Sequence, residues 1–168
     1  MSATRLKDIQ RFYEREGIAF TEDEGVRWKA GSVNTYQGRS GFLDFIMDVY
    51  QTMKSGGDVC VSSVNEDDFL KWEGDEAEAH MARMASIENL TFKILIKEGD
   101  DNTISKYAQY RTVPSEYFGD VPLYIYGDKT ALIVFAKDDV EIFVIEHSAI
   151  TQYFRDRFSA MWSSAKEV

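Results

Sequence analysis

Three short apolar runs follow one another between Pro122 and Glu146 (PLYIYGDKTALIVFAKDDVEIFVIE) and predict three strands, over 123–126, 131–135 and 141–145. Gly127-Asp128 between the first two suits a two-residue hairpin turn, because glycine accepts positive φ without a steric cost. Lys137-Asp138-Asp139 supplies the second turn. The middle run is apolar at every position, which predicts a strand inside a sheet covered on both sides. Upstream the period changes. Leu6, Ile9, Phe12 and Tyr13 form a stripe over a helix at 4–16, capped by Thr4 and ended by Gly17. Residues 18–37 read as irregular, with weak strand character at Val26 to Trp28 and Val33 to Tyr36. Ser40 is expected to cap a helix over 41–54 whose apolar face is Phe42, Phe45, Ile46, Val49, Tyr50 and Met53. Gly56-Gly57 stops that helix, and 58–63 (DVCVSS) reads as a short buried strand. Residues 65–88 read as an acidic helix, 91–96 as a second apolar strand, 98–105 as a polar loop, and 109–113 as a strand ended by Pro114. A final helix is expected from a Ser148 cap to about Ala165.

Strand, helix, strand from 58 to 96 favours a parallel crossover within one sheet. The fold class is therefore α/β: a single domain with a mixed sheet, a C-terminal antiparallel meander and flanking helices. No Pro/Gly/Ser-rich linker breaks the chain. Residues 1–37 make an N-terminal helix and irregular segment, and 38–168 the α/β domain, within one structural domain overall.

The chain has 168 residues, 44% of them hydrophobic, enough for one sizeable core. Its formal net charge of −10 lacks the basic face that phosphate neutralisation needs, which argues against direct nucleic-acid binding. Cys60 is the single cysteine, so no internal disulfide forms and a reducing compartment is expected. The first residues hold no apolar signal-peptide core, and no apolar run nears the ~18 residues of a membrane span. A soluble, cytoplasmic protein with no membrane partner is the expectation.

Several stretches carry a resemblance to a known family: the helix from Gly38 leading into VCVSS at 59–63, residues 79–96, YRTVP at 110–114, YIYGDKTALIVF at 124–135 and YFRDRFSAMWSSAK at 153–166. Together they resemble half of a phospholipase-D-like domain, and more narrowly the sensor domain of TrmB-type transcriptional regulators. The resemblance covers most of residues 38–166. It implies a mixed α/β fold, a small effector and a link to transcriptional regulation. In active phospholipase-D-like enzymes, His-x-Lys-x4-Asp supplies the nucleophilic histidine and a phosphate-binding lysine. Here the histidines are His80, followed by Met81 and Ala82, and His147, followed by Ser148 and Ala149. Where the meander would offer the motif, Tyr124 to Lys129 stand without a histidine. Tyrosine is a poor phosphoryl acceptor, so no phosphodiesterase activity is expected. Residues 1–37 are too short for the regulators' winged helix and a linker.

Two groups of residues are candidates for ligand binding. Ser62, Ser63 and Asn65 follow the first strand and precede a helix, where an α/β sheet collects anions; the alternative is that Ser63 or Asn65 caps the helix. Arg111, Tyr124, Tyr126 and Lys129 lie on or beside strands, and a guanidinium near two rings on one sheet face suits a planar polar ligand. The alternative is that the rings are buried beneath a helix and Arg111 pairs with an acid. The acidic run Glu66 to Glu78 lacks calcium-loop spacing and reads as a solvated helix face. His80, His147 and Cys60 have no metal-ligand spacing, so neither a metal nor a cofactor is expected. Cys60 reads as a small core residue. The expected function is a non-catalytic regulatory module that binds a small effector or a partner protein as a homodimer. An atypical phosphodiesterase and a pure interaction domain are the alternatives.

Overall fold

The computed structural model describes Ile9, Tyr13 and residues 18–20, 25–28 and 31–168. Of the helix expected over 4–16, only Ile9 and Tyr13 are described, both helical; its stripe otherwise lies outside the described residues. The chain parts into two compact units, Met1–Ser32 and Val33–Val168. In the first, β1 (Ile18–Phe20) and β2 (Val26–Trp28) form an antiparallel pair.

The second unit is built on a mixed sheet. Its elements run β3 (Ser32–Gln37), α1 (Gly38–Met53), β4 (Gly57–Ser62), α2 (Glu66–Glu73), a 3-10 turn at Gly74–Glu76, α3 (Ala77–Ala85) and β5 (Leu90–Lys97). After them come β6 (Gln109–Val113), β7 (Leu123–Tyr126), β8 (Lys129–Phe135), β9 (Val140–Glu146), α4 (Ser148–Ser164) and β10 (Lys166–Glu167). The strand order is β10-β6-β5-β4-β7-β8-β9-β3. Strands β4, β5 and β6 are parallel, and β7, β8 and β9 form the antiparallel meander expected from the turns. β3 belongs to this sheet, so the unit boundary falls before Val33 rather than after Gln37.

Each face of the sheet has its own core. Helices α1, α2 and α3 cover one. There Phe42, Phe45, Val49 and Met84 meet Val59, Val61, Ile94, Tyr124, Tyr126 and Ile133, nearly all without exposure. α4 covers part of the other, where Phe158 packs on Cys60, Leu95 and Ile125. Cys60 is thus the small core residue expected, and burial pushes its thiol pKa up.

Helix starts differ from the sequence reading. α1 begins at Gly38 after an extended Gln37, and α4 begins at Ser148 after His147; neither start carries a side-chain cap. Ser40 and Ser148 are therefore first-turn residues, where orphan amides are tolerated at the surface. The acidic helix is also not continuous. Gly74, at φ +58, ends α2, and α3 resumes after one 3-10 turn. Gly56 shows why a glycine stands between α1 and β4. Its φ is +86, and a Cβ there would lie 2.7 Å from the Glu88 carbonyl oxygen.

Candidate ligand site

α2, α3 and the sheet do not close completely. Between them lies a cavity of about 50 Å³ toward the carboxyl ends of β4 and β5. Val61 and Val64 form its floor with Phe92 and Ile94, α2 contributes Glu66, Phe69 and Glu73, and α3 contributes His80 and Met81. The loop after β5 brings Ile104, Ser105 and Tyr107 across the mouth. That loop is tied down. Tyr110 Oη donates to the Glu66 carboxylate and accepts from the Ser105 amide at 2.9 Å. Asn102 Nδ2 donates to Asp67 Oδ1 at 3.1 Å.

The polar groups of the cavity are deeply buried. Glu66 is 7% exposed, Glu73 6% and His80 4%. Burial pushes the Glu73 carboxyl up to about 7; the charge of Glu66 adds to this, and the weaker attraction of Arg83 opposes it. Burial also raises Glu66, less far, because hydrogen bonds from Tyr110 and Ser105 favour its ionised form. His80 is driven down to about 4, first by burial and then by the Arg83 charge, so it is neutral at pH 7. Its Nδ1 has no hydrogen-bond partner. Tyr107 is pushed up to about 12 by burial, with the charges of Glu73 and Glu66 adding to it.

The acidic stretch is not the wholly solvated face that the sequence suggests. Asp67, Asp75, Glu76 and Glu78 are exposed, but Glu66 and Glu73 point inward. The signal was present in the spacing. Glu66, Glu73 and His80 stand seven residues apart, on the same helical stripe as Phe69, Leu70, Ala77 and Met84. Ionisable residues on an apolar stripe mark a buried polar site, provided the stripe faces the core.

Of the sequence-predicted ligand residues only Tyr124 lines this cavity. Tyr124 and Tyr126 share a face, and Phe45 meets both rings edge-on, at 5.6 and 6.1 Å between centroids. Tyr126 Oη and Lys129 Nζ are both taken by Asp48 of α1, at 2.8 and 2.6 Å. Arg111 lies on the opposite face. It stacks 4.9 Å from the Trp162 ring, donates to the Trp162 carbonyl at 2.8 Å and pairs with Glu167 of the neighbouring β10 at 3.1 Å. The structure therefore does not bring Arg111 together with Tyr124 and Tyr126, because the register turns Tyr110 rather than Arg111 toward the α2 side. Ser62 shares the Arg111 face and is buried beside Leu95 and Leu123. Ser63, at φ +60, accepts the Gly119 amide on its Oγ at 3.1 Å. Asn65 is the helix cap, its Oδ1 accepting the Asp67 amide at 3.0 Å. Among the described residues no group of three His, Cys, Asp or Glu is placed to hold a metal ion.

Comparison of the whole chain with solved structures sets this geometry in a known frame. Nuc of Salmonella typhimurium, a phospholipase D family member, superposes with a TM-score of 0.57 over 83% of this chain and 99% of its own, at 14% identity. The fold is phospholipase-D-like. NucT from Helicobacter pylori gives a TM-score of 0.54 over 83% of this chain and all of its own, at 11% identity. TrmBL2, an archaeal chromatin protein with a novel mode of DNA binding, gives 0.52 over 98% of this chain at 13% identity, and this chain spans 62% of its length. The mixed sheet and flanking helices expected from the sequence are those of this phospholipase-D-like fold, close to TrmB-type proteins. No family model and no curated protein matches the sequence.

Proposed function

We propose that this chain is a non-catalytic sensor: a phospholipase-D-like scaffold that binds a small effector in the cavity beneath α2 and α3. The observation that carries this is the cavity itself. Two carboxylates and an imidazole are buried there, and the His80 Nδ1 has no partner. Burying such groups without full pairing costs stability, and that cost supports reading the cavity as a binding site. The site lies where α/β sheets collect ligands, toward the carboxyl ends of parallel strands. The sequence supports the non-catalytic part, because neither His80 nor His147 begins a His-x-Lys-x4-Asp motif. The likeness to TrmBL2, a DNA-binding chromatin protein, supports an output in transcriptional regulation through a DNA-binding partner rather than through this acidic chain.

A hydrolytic role for the same cavity would draw on Glu73 and His80, whose proton affinities are displaced in opposite directions. The test is turnover of bis-p-nitrophenyl phosphate beside thermal-shift screening of sugars, nucleotides, amines and carboxylates. The sensor reading expects background turnover and at least one stabilising compound whose effect is lost on changing a cavity residue. Turnover lost in Glu73→Gln or His80→Ala would replace it with the enzyme reading. A screen with neither result would favour the interaction domain.

A further inference from the structure

Resting on the sensor reading, we infer that the effector presents a primary ammonium group, held in the cavity by Glu73 and Glu66 beside the aromatic rings of Phe69, Phe92 and Tyr124. Size comes first. The cavity holds about 50 Å³, well short of the ~150 Å³ of an engineered cavity that admits benzene. It fits a head group with one or two carbons, not a ring. Charge comes second. Glu66 and Glu73 both line it, and the cation acting on Glu73 and His80 is Arg83, which does not. An anion would meet two carboxylates; an ammonium would be attracted by both. Glu66 already accepts from Tyr110 and Ser105, whereas no described side chain donates to the Glu73 carboxylate. The third observation is independent of the acids. His80 is 4% exposed and lines the cavity, and its Nδ1 is unpartnered. A neutral imidazole protonated on Nε2 keeps Nδ1 as an acceptor, so His80 brings no positive charge that would oppose an ammonium. An ammonium can donate to the Glu73 carboxylate without the three converging ligands that a metal ion needs, and the rings add cation–π attraction. A metal ion is disfavoured, since no group of three ligating side chains is placed for one among the described residues. The net charge of −10 raises the local concentration of cations.

Binding would be linked to protons. The groups facing Glu73 are Glu66 on its own helix, Arg83 on α3, Tyr107 in the loop and Tyr124 on β7, with His80 beside them in the cavity. An ammonium prefers ionised Glu73. With that carboxyl titrating near 7, its ionised fraction rises about tenfold from pH 6 to pH 8. Affinity for an amine should follow until the amine itself deprotonates.

The experiment measures stabilisation and Kd for methylammonium and ethylammonium, with acetate, phosphate and glycerol alongside, at constant ionic strength and at pH 6 and 8. The variants are Glu73→Gln, which keeps shape, and Arg111→Ala on the opposite face. Expected are binding of the ammonium probes, about tenfold tighter at pH 8, loss of that pH dependence in Glu73→Gln, and no change in Arg111→Ala. The Glu73 carboxyl 13C resonance should titrate lower when methylammonium is present, a readout independent of the variant's folding. Binding of acetate, phosphate or glycerol through the cavity, without the ammonium probes, would overturn the cation class and leave the sensor reading standing. Ammonium binding unchanged in Glu73→Gln, with an unmoved carboxyl titration, would overturn the site. Failure of every probe, and of the wider screen, would overturn both.

Discussion

Glu73 and His80 should give this protein an unusual pH dependence of stability. Glu73 holds its proton up to about pH 7 in the fold, against about 4.5 in the unfolded chain. A raised carboxyl stabilises the fold fully below the unfolded value, and that contribution is lost as pH rises through the folded one. His80 works in the opposite sense. Its pKa falls from 6.5 to about 4, so its contribution is present above 6.5 and is lost as pH falls through 4. Each displacement, at 1.36 kcal/mol per pH unit, corresponds to at most about 3 kcal/mol. Between pH 4.5 and 6.5 the two slopes oppose each other and largely cancel. Glu73→Gln removes one of them. Relative to wild type, the variant should be nearly unchanged at pH 4.5 and stabilised by about 2–3 kcal/mol at pH 7.5. Urea unfolding at four pH values measures this, with Trp72, next to Glu73, as the fluorescent reporter. A difference between variant and wild type that stays constant across this range would refute the reasoning, since a solvated Glu73 has no such slope.

Three further expectations concern the scaffold. Phe45→Ala removes a ring with no exposure that touches Phe42, Tyr124 and Tyr126, and should cost about 3–5 kcal/mol in urea unfolding. Arg111→Ala should cost about 1 kcal/mol or less, because its ion pair with Glu167 is largely solvated and its remaining hold is the Trp162 contact. Light scattering at tens of micromolar should give a homodimer, for which α4 offers exposed Ile150 and Tyr153; a monomer mass would count against that.

Most of the fold was legible because local chemistry and tertiary structure agree. The meander followed from two turns, and the parallel crossover from strand, helix, strand within forty residues. The candidate cavity adjoins the loop after β4 that the sequence singles out, yet its residues differ: Asn65 serves as a cap and Arg111 faces away. Arg111 was misplaced by register: a strand alternates its faces, and nothing in QYRTV says which face lies toward α2. Glu66, Glu73 and His80 were hidden by their neighbours. Within a run of seven acids, only the seven-residue spacing separates the buried pair from the solvated rest, and reading it requires knowing which stripe meets the sheet. The Tyr110–Glu66 contact depends on a loop closure that periodicity does not encode.

The claim that the protein senses a ligand beneath α2 and α3 is tested most directly by methyl NMR on 13C-methionine-labelled protein. Met81 lines the cavity, whereas Met161, on α4, packs against the core on the opposite face of the sheet. A stabilising effector should shift the Met81 methyl resonance in a saturable manner and leave Met161 in place. A saturable shift at Met161 with Met81 unmoved would contradict the account.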